Sequence, residues 1–157
     1  MDVRQAIVLS LHEKLIKVNG IKEVYYERET WDKSKHRTPS LFIVTGPESV
    51  EQQTNKEDLS TWVISIYGID KKGLKPETQL NDHINNVRSK IYITDPYLES
   101  STWISSINGG CGLQNITVTE ILSGVGESHL EEVSFGIDSQ YTTFKLTVEV
   151  QFTITRT

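Results

Sequence analysis

Thr143–Thr155 reads TFKLTVEVQFTIT. Every even position is apolar (Phe144, Leu146, Val148, Val150, Phe152, Ile154) and every odd position is polar. Alternation at period two, in β-branched and aromatic residues, sets one face of a strand on a core and the other towards water or a partner. Each buried side chain of this kind contributes about 1.5–3 kcal/mol, so the segment predicts a central strand flanked by earlier ones. From Tyr141 to Arg156 it would run roughly 53 Å at about 3.3 Å per residue. A compact domain of this size has a diameter on the order of 39 Å. Either the strand bends sharply or one end projects, and a projecting strand end invites pairing with another chain.

Working back to the start, Asp2 can cap a helix, with Gln5 returning the bond. Val3, Ala6, Ile7, Leu11, Leu15 and Val18 form its apolar stripe, and Gly20 fits the left-handed position that ends it. Ile21–Glu27 predicts a short strand with Val24 and Tyr26 on one face and Glu23 and Tyr25 on the other. Residues 28–38 (RETWDKSKHRT) have no periodicity and predict an exposed loop or the splayed tip of a hairpin. Leu41–Val44 is an unbroken apolar run, suited to a strand buried on both faces. Gly46-Pro47 opens a second polar loop over 46–58, before Leu59–Ile69 resumes alternation with Trp62, Ile64 and Ile66 on one face. A turn is expected at Asp70–Gly73. Pro76 suits the first position of a helix in which Leu80, Ile84, Val87 and Ile91 recur at i, i+4, i+7 and i+11, with Asp95-Pro96 as its stop. Trp103–Ile107 suggests a short strand or turn, and Gly109-Gly110-Cys111-Gly112 a flexible bend. Ile116, Val118, Glu120 and Leu122 share one face of the next strand, and Val133, Phe135 and Ile137 alternate again.

The order is αβββαβββ. Runs of strands without intervening helices predict an α+β fold, a single domain over 1–157: a mostly antiparallel β-sheet with two α-helices packed on one face. Loops near 28–38 and 46–58 protrude from it.

Composition removes several function classes. Net charge is −5, the pI is near 5.4, and no Lys/Arg block exceeds two neighbours, so the basic footprint of a specific nucleic-acid binder is missing. No apolar run approaches the roughly 20 residues that span a bilayer, and no signal peptide opens the chain, so a soluble intracellular product is expected. Cys111 is the single cysteine, which leaves no intrachain disulfide, Cys-cluster metal site or CxxC motif.

Candidate chemistry is sparse. Glycines around Cys111 could admit a substrate to a thiol, with His12, His36, His83 or His129 as base, the arrangement of a small cysteine-dependent hydrolase. No nucleophile signature surrounds it, and a turn carrying a small half-buried cysteine explains the same residues. The glycines make no P-loop, because the GK[ST] ending is absent. His83 has Asn86 and Val87 at i+3 and i+4, where a second metal ligand would stand. Glu57-Asp58 and Glu131-Glu132 read as solvated turns, and calcium-loop spacing is absent. No catalytic, cofactor or metal residue is nominated. Trp31 differs: a tryptophan among Glu29, Asp32, Lys33 and Lys35 has little local core to join and suits an interface anchor as well as an ordinary surface aromatic.

Taken together, the opening helix VRQAIVLSLHEKLIKVNGIKEV, the strand PSLFIV after a charged loop, the strand LSTWVISIYGID, the helix LNDHINNVRSKIY and the closing FKLTVEVQFTI resemble the tail-terminator (tail-completion) proteins of tailed bacteriophages. The resemblance covers most of the chain as pattern and order, without a diagnostic motif, and residues 97–113 match none of it. It implies a non-enzymatic α+β subunit, without cofactors, that forms a homo-oligomeric ring, a hexamer, in the virion tail or neck after assembly in the host cytoplasm. The ring caps the completed tail tube, stops its polymerisation and joins the tail to the head-side connector. Its implied partners are the tail tube protein and the connector, with DNA passing through the ring and no membrane involved. In that setting the loop 28–38 becomes a subunit or tail interface, with Trp31 as anchor and Lys33, Lys35 and Arg37 setting register. Another neck or baseplate structural protein is the neighbouring alternative.

Overall fold

A computed structural model describes residues 3–26, 37–91, 111–125 and 141–155. The elements are α1 (Val3–Leu15), β1 (Glu23–Tyr26), β2 (Ser40–Gln52), β3 (Glu57–Lys71), α2 (Pro76–Ile91), β4 (Cys111–Val125) and β5 (Tyr141–Thr155). The strands form one sheet in the order β1-β2-β3-β5-β4, antiparallel throughout except for β1 and β2. Both helices pack on the same face, and the fold is α+β.

β5 holds the place its alternation predicts, flanked on both sides. Val148 stands opposite Ile64 of β3 and Val118 of β4, and Val150 opposite Trp62 and Ile116. Phe144, Leu146, Val148, Val150 and Phe152 are all buried beneath the helices, while Lys145, Thr147, Glu149, Gln151 and Thr153 on the other face are half-exposed. β3, its neighbour, is the middle strand of the five. On the helix-covered face, the ring of Phe144 lies so close over Gly68 that a Cβ there would come within 2.2 Å of it. That close approach is what glycine permits at this position.

α1 buries Ile7, Leu11, Leu15 and, past its last turn, Val18; α2 buries Leu80, Ile84, Val87 and Ile91. Gly20 has φ +86°, the left-handed conformation expected of it, and Val18 and Ile21 close the exit with 3.1 and 3.2 Å bonds to Leu15 and Val18 carbonyls. Pro76 opens α2, Glu77 lies in its first turn and Arg88 and Lys90 in its last, charges that complement the helix dipole. The run Leu41–Val44 is buried on both faces: Leu41 and Ile43 join the core under the helices, and Phe42 and Val44 join a second cluster with Tyr67, Ile69 and Tyr141.

Five expectations are corrected. β1 and β2 run parallel, Glu23 beside Ser40 and Tyr26 beside Ile43, so the two strands do not form a hairpin; residues 27–36 between them lie outside the described residues. The predicted loop 46–58 is mostly strand: β2 continues to Gln52 and β3 returns from Glu57. Gly46 and Pro47 make a bulge, where the register passes from Thr45–Ile64 to Glu48–Trp62. Proline, lacking an N–H, is tolerated at such a point. β3 likewise runs on through Asp70 to Lys71, where a turn was expected. In β4, Cys111 and Gly112 are strand residues paired with Ile154 and Thr153 instead of a bend. A bulge after Val118 puts Ile121, not Glu120 or Leu122, opposite the core residue Leu146, because one inserted residue exchanges the two faces. The Asp2 cap, the Asp95-Pro96 stop, the Trp103–Ile107 element and the strand at Val133–Ile137 lie outside the described residues.

Candidate functional site

Of the residues assigned to an interface from sequence, Arg37 alone is placed; Trp31, Lys33 and Lys35 lie outside the described residues. Arg37 is exposed just before β2, its Nε 3.8 Å from Glu23 Oε1 on β1. At that distance in water the pair contributes at most about 1 kcal/mol. Its backbone carbonyl accepts the Ser40 hydroxyl, which fixes the entry to β2.

A concavity of about 520 Å³ opens between α1 and the β1 side of the sheet. α1 lines it with Arg4, Gln5, Val8 and Leu9, β1 with Tyr26, β2 with Ile43 and Thr45, and β3 with Trp62. Its walls are set by specific bonds. Arg4 donates Nε and Nη2 to Glu48 Oε2 and Oε1 at 2.6 and 2.8 Å, a bidentate clamp from α1 to β2. Those bonds hold the Glu48 carboxyl below the ordinary carboxylate range, against the opposing effect of its burial. The Trp62 indole donates to the Gly46 carbonyl at 3.1 Å, so the bulge both turns the ribbon and orients the ring. His12 stacks on Tyr26 with ring centroids 4.5 Å apart, and its Nε2–H donates to the Val24 carbonyl at 3.1 Å. Burial, and then the negative charge of Glu13, push the Tyr26 phenol above its usual range. Leu9, which lines the groove, is 42 % exposed, and Ile16, two turns further along the chain, is 49 % exposed; both are outside the covered stripe.

A second feature stands at the far end of β3. Lys71-Lys72-Gly73-Leu74-Lys75 links β3 to α2, and Leu74 is fully exposed. The turn is nonetheless well held. The Gln79 amide accepts from the Gly73 N–H at 2.9 Å and donates to the Lys71 carbonyl at 2.8 Å and to Asp70. Asp70 in turn accepts from the Lys71 N–H and from His83 Nε2, both at 2.8 Å. His83 is thus a fastening between α2 and β3.

The candidate thiol does not meet a described histidine. Cys111 lies opposite Ile154, whereas His83 is bound to Asp70, which is paired with Thr142. Twelve residues along β5 separate those points, roughly 40 Å at about 3.3 Å each. His12 belongs to the opposite edge of the sheet, beside β1. His36 and His129 lie outside the described residues. Among the described residues there is no cluster of His, Cys, Asp and Glu suited to a metal, and no helix long and apolar enough to cross a membrane.

The groove and the tip were both missed in the sequence, since their residues come from several elements. Two signals were present. Leu9 and Ile16 repeat at i, i+7 outside the α1 stripe, and Leu74 stands among lysines in a turn. What the arrangement offers is an apolar hollow with a charged rim, suited to holding an apolar side chain. The chain matches no family model and no curated protein.

Proposed function

We propose that the chain is a structural subunit of a bacteriophage tail, a tail terminator that closes into a hexameric ring over the finished tail tube. The ring stops tube polymerisation and offers its other side to the head-side connector. The observation that carries this reading is the architecture. Helix, short strand, long ribbon, second helix and closing alternating strand join in one sheet with both helices on one face, the α+β arrangement that the resemblance implies. The groove supports it further, because a subunit that must hold identical neighbours needs contacts that close by rotation. An acidic chain suits a DNA passage, since gripping phosphates requires cationic side chains. The reading assigns no catalytic step or cofactor to the protein.

Electron microscopy and solution mass of the purified protein test it, together with binding to isolated tail tubes. Rings of six copies that cap tubes are the expected result; a monomer with no affinity for tubes would overturn the reading. Replacing residues 29–37 by a Gly-Ser segment of equal length, long enough to join the parallel β1 and β2, is expected to preserve the circular-dichroism spectrum and to abolish tube capping. Trp31→Ala should weaken attachment by about 2 kcal/mol if the tryptophan is the anchor of that interface.

A further inference from the structure

We propose that Asn19-Gly20, in the turn that joins α1 to β1, is a site of spontaneous deamidation that yields aspartate and isoaspartate. Asparagine is a thermolabile residue, and the residue after it governs the reaction. A side chain there crowds the approach of its backbone nitrogen to the asparagine amide, and glycine has none. Asn19 and Gly20 are both exposed. A Cβ at Gly20 would meet no heavy atom within 4 Å, so the turn is open on that side. The bonds of the turn pass around the pair. Val18 N–H donates to the Leu15 carbonyl and Ile21 N–H to the Val18 carbonyl, while neither the Gly20 N–H nor the Asn19 amide is bonded among the described residues. Gly20 has φ +86°, so the turn selects this glycine and with it the exposure of the asparagine before it.

The reaction needs only solvent. The Gly20 nitrogen gives up its proton to solvent base and bonds to Asn19 Cγ; the Cγ–Nδ2 bond breaks and the nitrogen leaves as ammonia. Water then opens the cyclic imide. Attack at Cγ leaves aspartate, and attack at the main-chain carbonyl leaves isoaspartate, in which the chain runs through Cγ and is one carbon longer.

Both products add a negative charge to a chain whose net charge is −5. The charge falls just past the end of α1, where the helix carbonyls are already negative. Isoaspartate also lengthens the span between Val18 and Ile21 that their 3.2 Å bond closes, directly before the 2.9 Å bond from Lys22 N–H to the Pro39 carbonyl. The reaction therefore loosens the joint between α1 and β1. Other asparagines serve as controls. Asn55 precedes Lys56, whose N–H is bonded to Thr54, and Asn81, Asn85 and Asn86 lie inside α2. Asn108-Gly109 lies outside the described residues.

The full chain held in mildly alkaline buffer, folded or in urea, tests the site. Trypsin releases it as the peptide Val18–Lys22, apart from Asn108, for mass spectrometry. In the folded protein this peptide should gain the mass difference between asparagine and aspartic acid and split into two products. One of them should be methylated by a protein isoaspartate methyltransferase. An exposed, unbonded turn needs no opening, so the rate should lie within about tenfold of that in urea. Isoelectric focusing should show the added charge, and Asn19→Gln should abolish the change. Converted protein should melt lower than fresh protein, and lower than Asn19→Asp, which carries the charge without the added carbon. A Val18–Lys22 peptide that stays unchanged in the folded protein would overturn the proposal, whatever the urea sample does. Converted protein that melts like fresh protein would overturn the loosened joint.

Discussion

α2 buries Leu80, Ile84, Val87 and Ile91 and turns only polar side chains and Pro76 away from the core, whereas α1 buries Ile7, Leu11 and Leu15 and leaves Leu9 and Ile16 outside. Both lie on the same face of the same sheet. A helix that only covers a sheet needs one apolar stripe; Leu9 and Ile16 lie outside that stripe, and Leu9 also lines the groove. Anchorage differs as well. α2 is fastened at its start by Asp70, Gln79 and His83, which also shape the tip before it, and α1 is fastened to the ribbon by the Arg4–Glu48 pair. One helix completes the fold, and the other borders an open groove.

The largest effect that could break this comparison is at the covered stripe. Val87→Asp should unfold the protein, because Val87 is fully buried and a carboxylate there would have no partner. Ile16→Asp, on the open flank of α1, should change stability by no more than about 0.5 kcal/mol. Thermal melts of the two variants decide it: similar losses would mean that Ile16 belongs to the core after all.

A smaller effect sharpens the same point beneath the helix layer. Gly68→Ala should cost about 1–3 kcal/mol, since its methyl group would displace the buried Phe144 ring in a filled core. Leu9→Ala, where the surface is open, should be close to neutral in the monomer. Denaturant midpoints measured at equal slopes test the pair, and a neutral Gly68→Ala would show that the ring has room to move.

How much of this was legible in the sequence follows from which interactions are local. α2 and β5 were readable residue by residue, because one covered face imposes one period on each. Gly20 was readable because its backbone conformation selects glycine. The distal half of β2 was not: Gly46-Pro47 looks like a turn, and Thr45–Gln52 is mostly exposed, so no burial imposes alternation there. The bulge after Val118 was invisible for a related reason, as one inserted residue exchanges faces without any change in composition. The parallel pairing of β1 and β2 depends on where the chain travels between them, which no local pattern in β1 records. Of the candidate site, Arg37 was legible as an exposed basic residue, while the groove, assembled from α1, β1, β2 and β3, becomes visible only once the sheet has brought those elements together.

The smallest expected effect concerns the clamp at the groove's edge, and its sign is set by charge. Arg4 bonds hold the Glu48 carboxyl below the ordinary range in the folded protein. In the unfolded chain Glu48 returns to the ordinary carboxylate range. A group whose folded value is depressed contributes stability that is present above the unfolded value and lost as pH falls through the folded one. Arg4→Ala should therefore lower stability at pH 7, by at most about 1 kcal/mol because the arginine is 40 % exposed. The gap between wild type and variant should close as acidification protonates Glu48 in the folded wild type. Urea unfolding at pH 7 and pH 3, with the Glu48 carboxyl followed by NMR, measures both quantities. In Arg4→Ala the Glu48 titration should move upward, towards the ordinary carboxylate range. A stability gap of equal size at both pH values would show that the arginine acts through its packed hydrocarbon stem, and would make the groove wall an apolar contact instead of an ion pair.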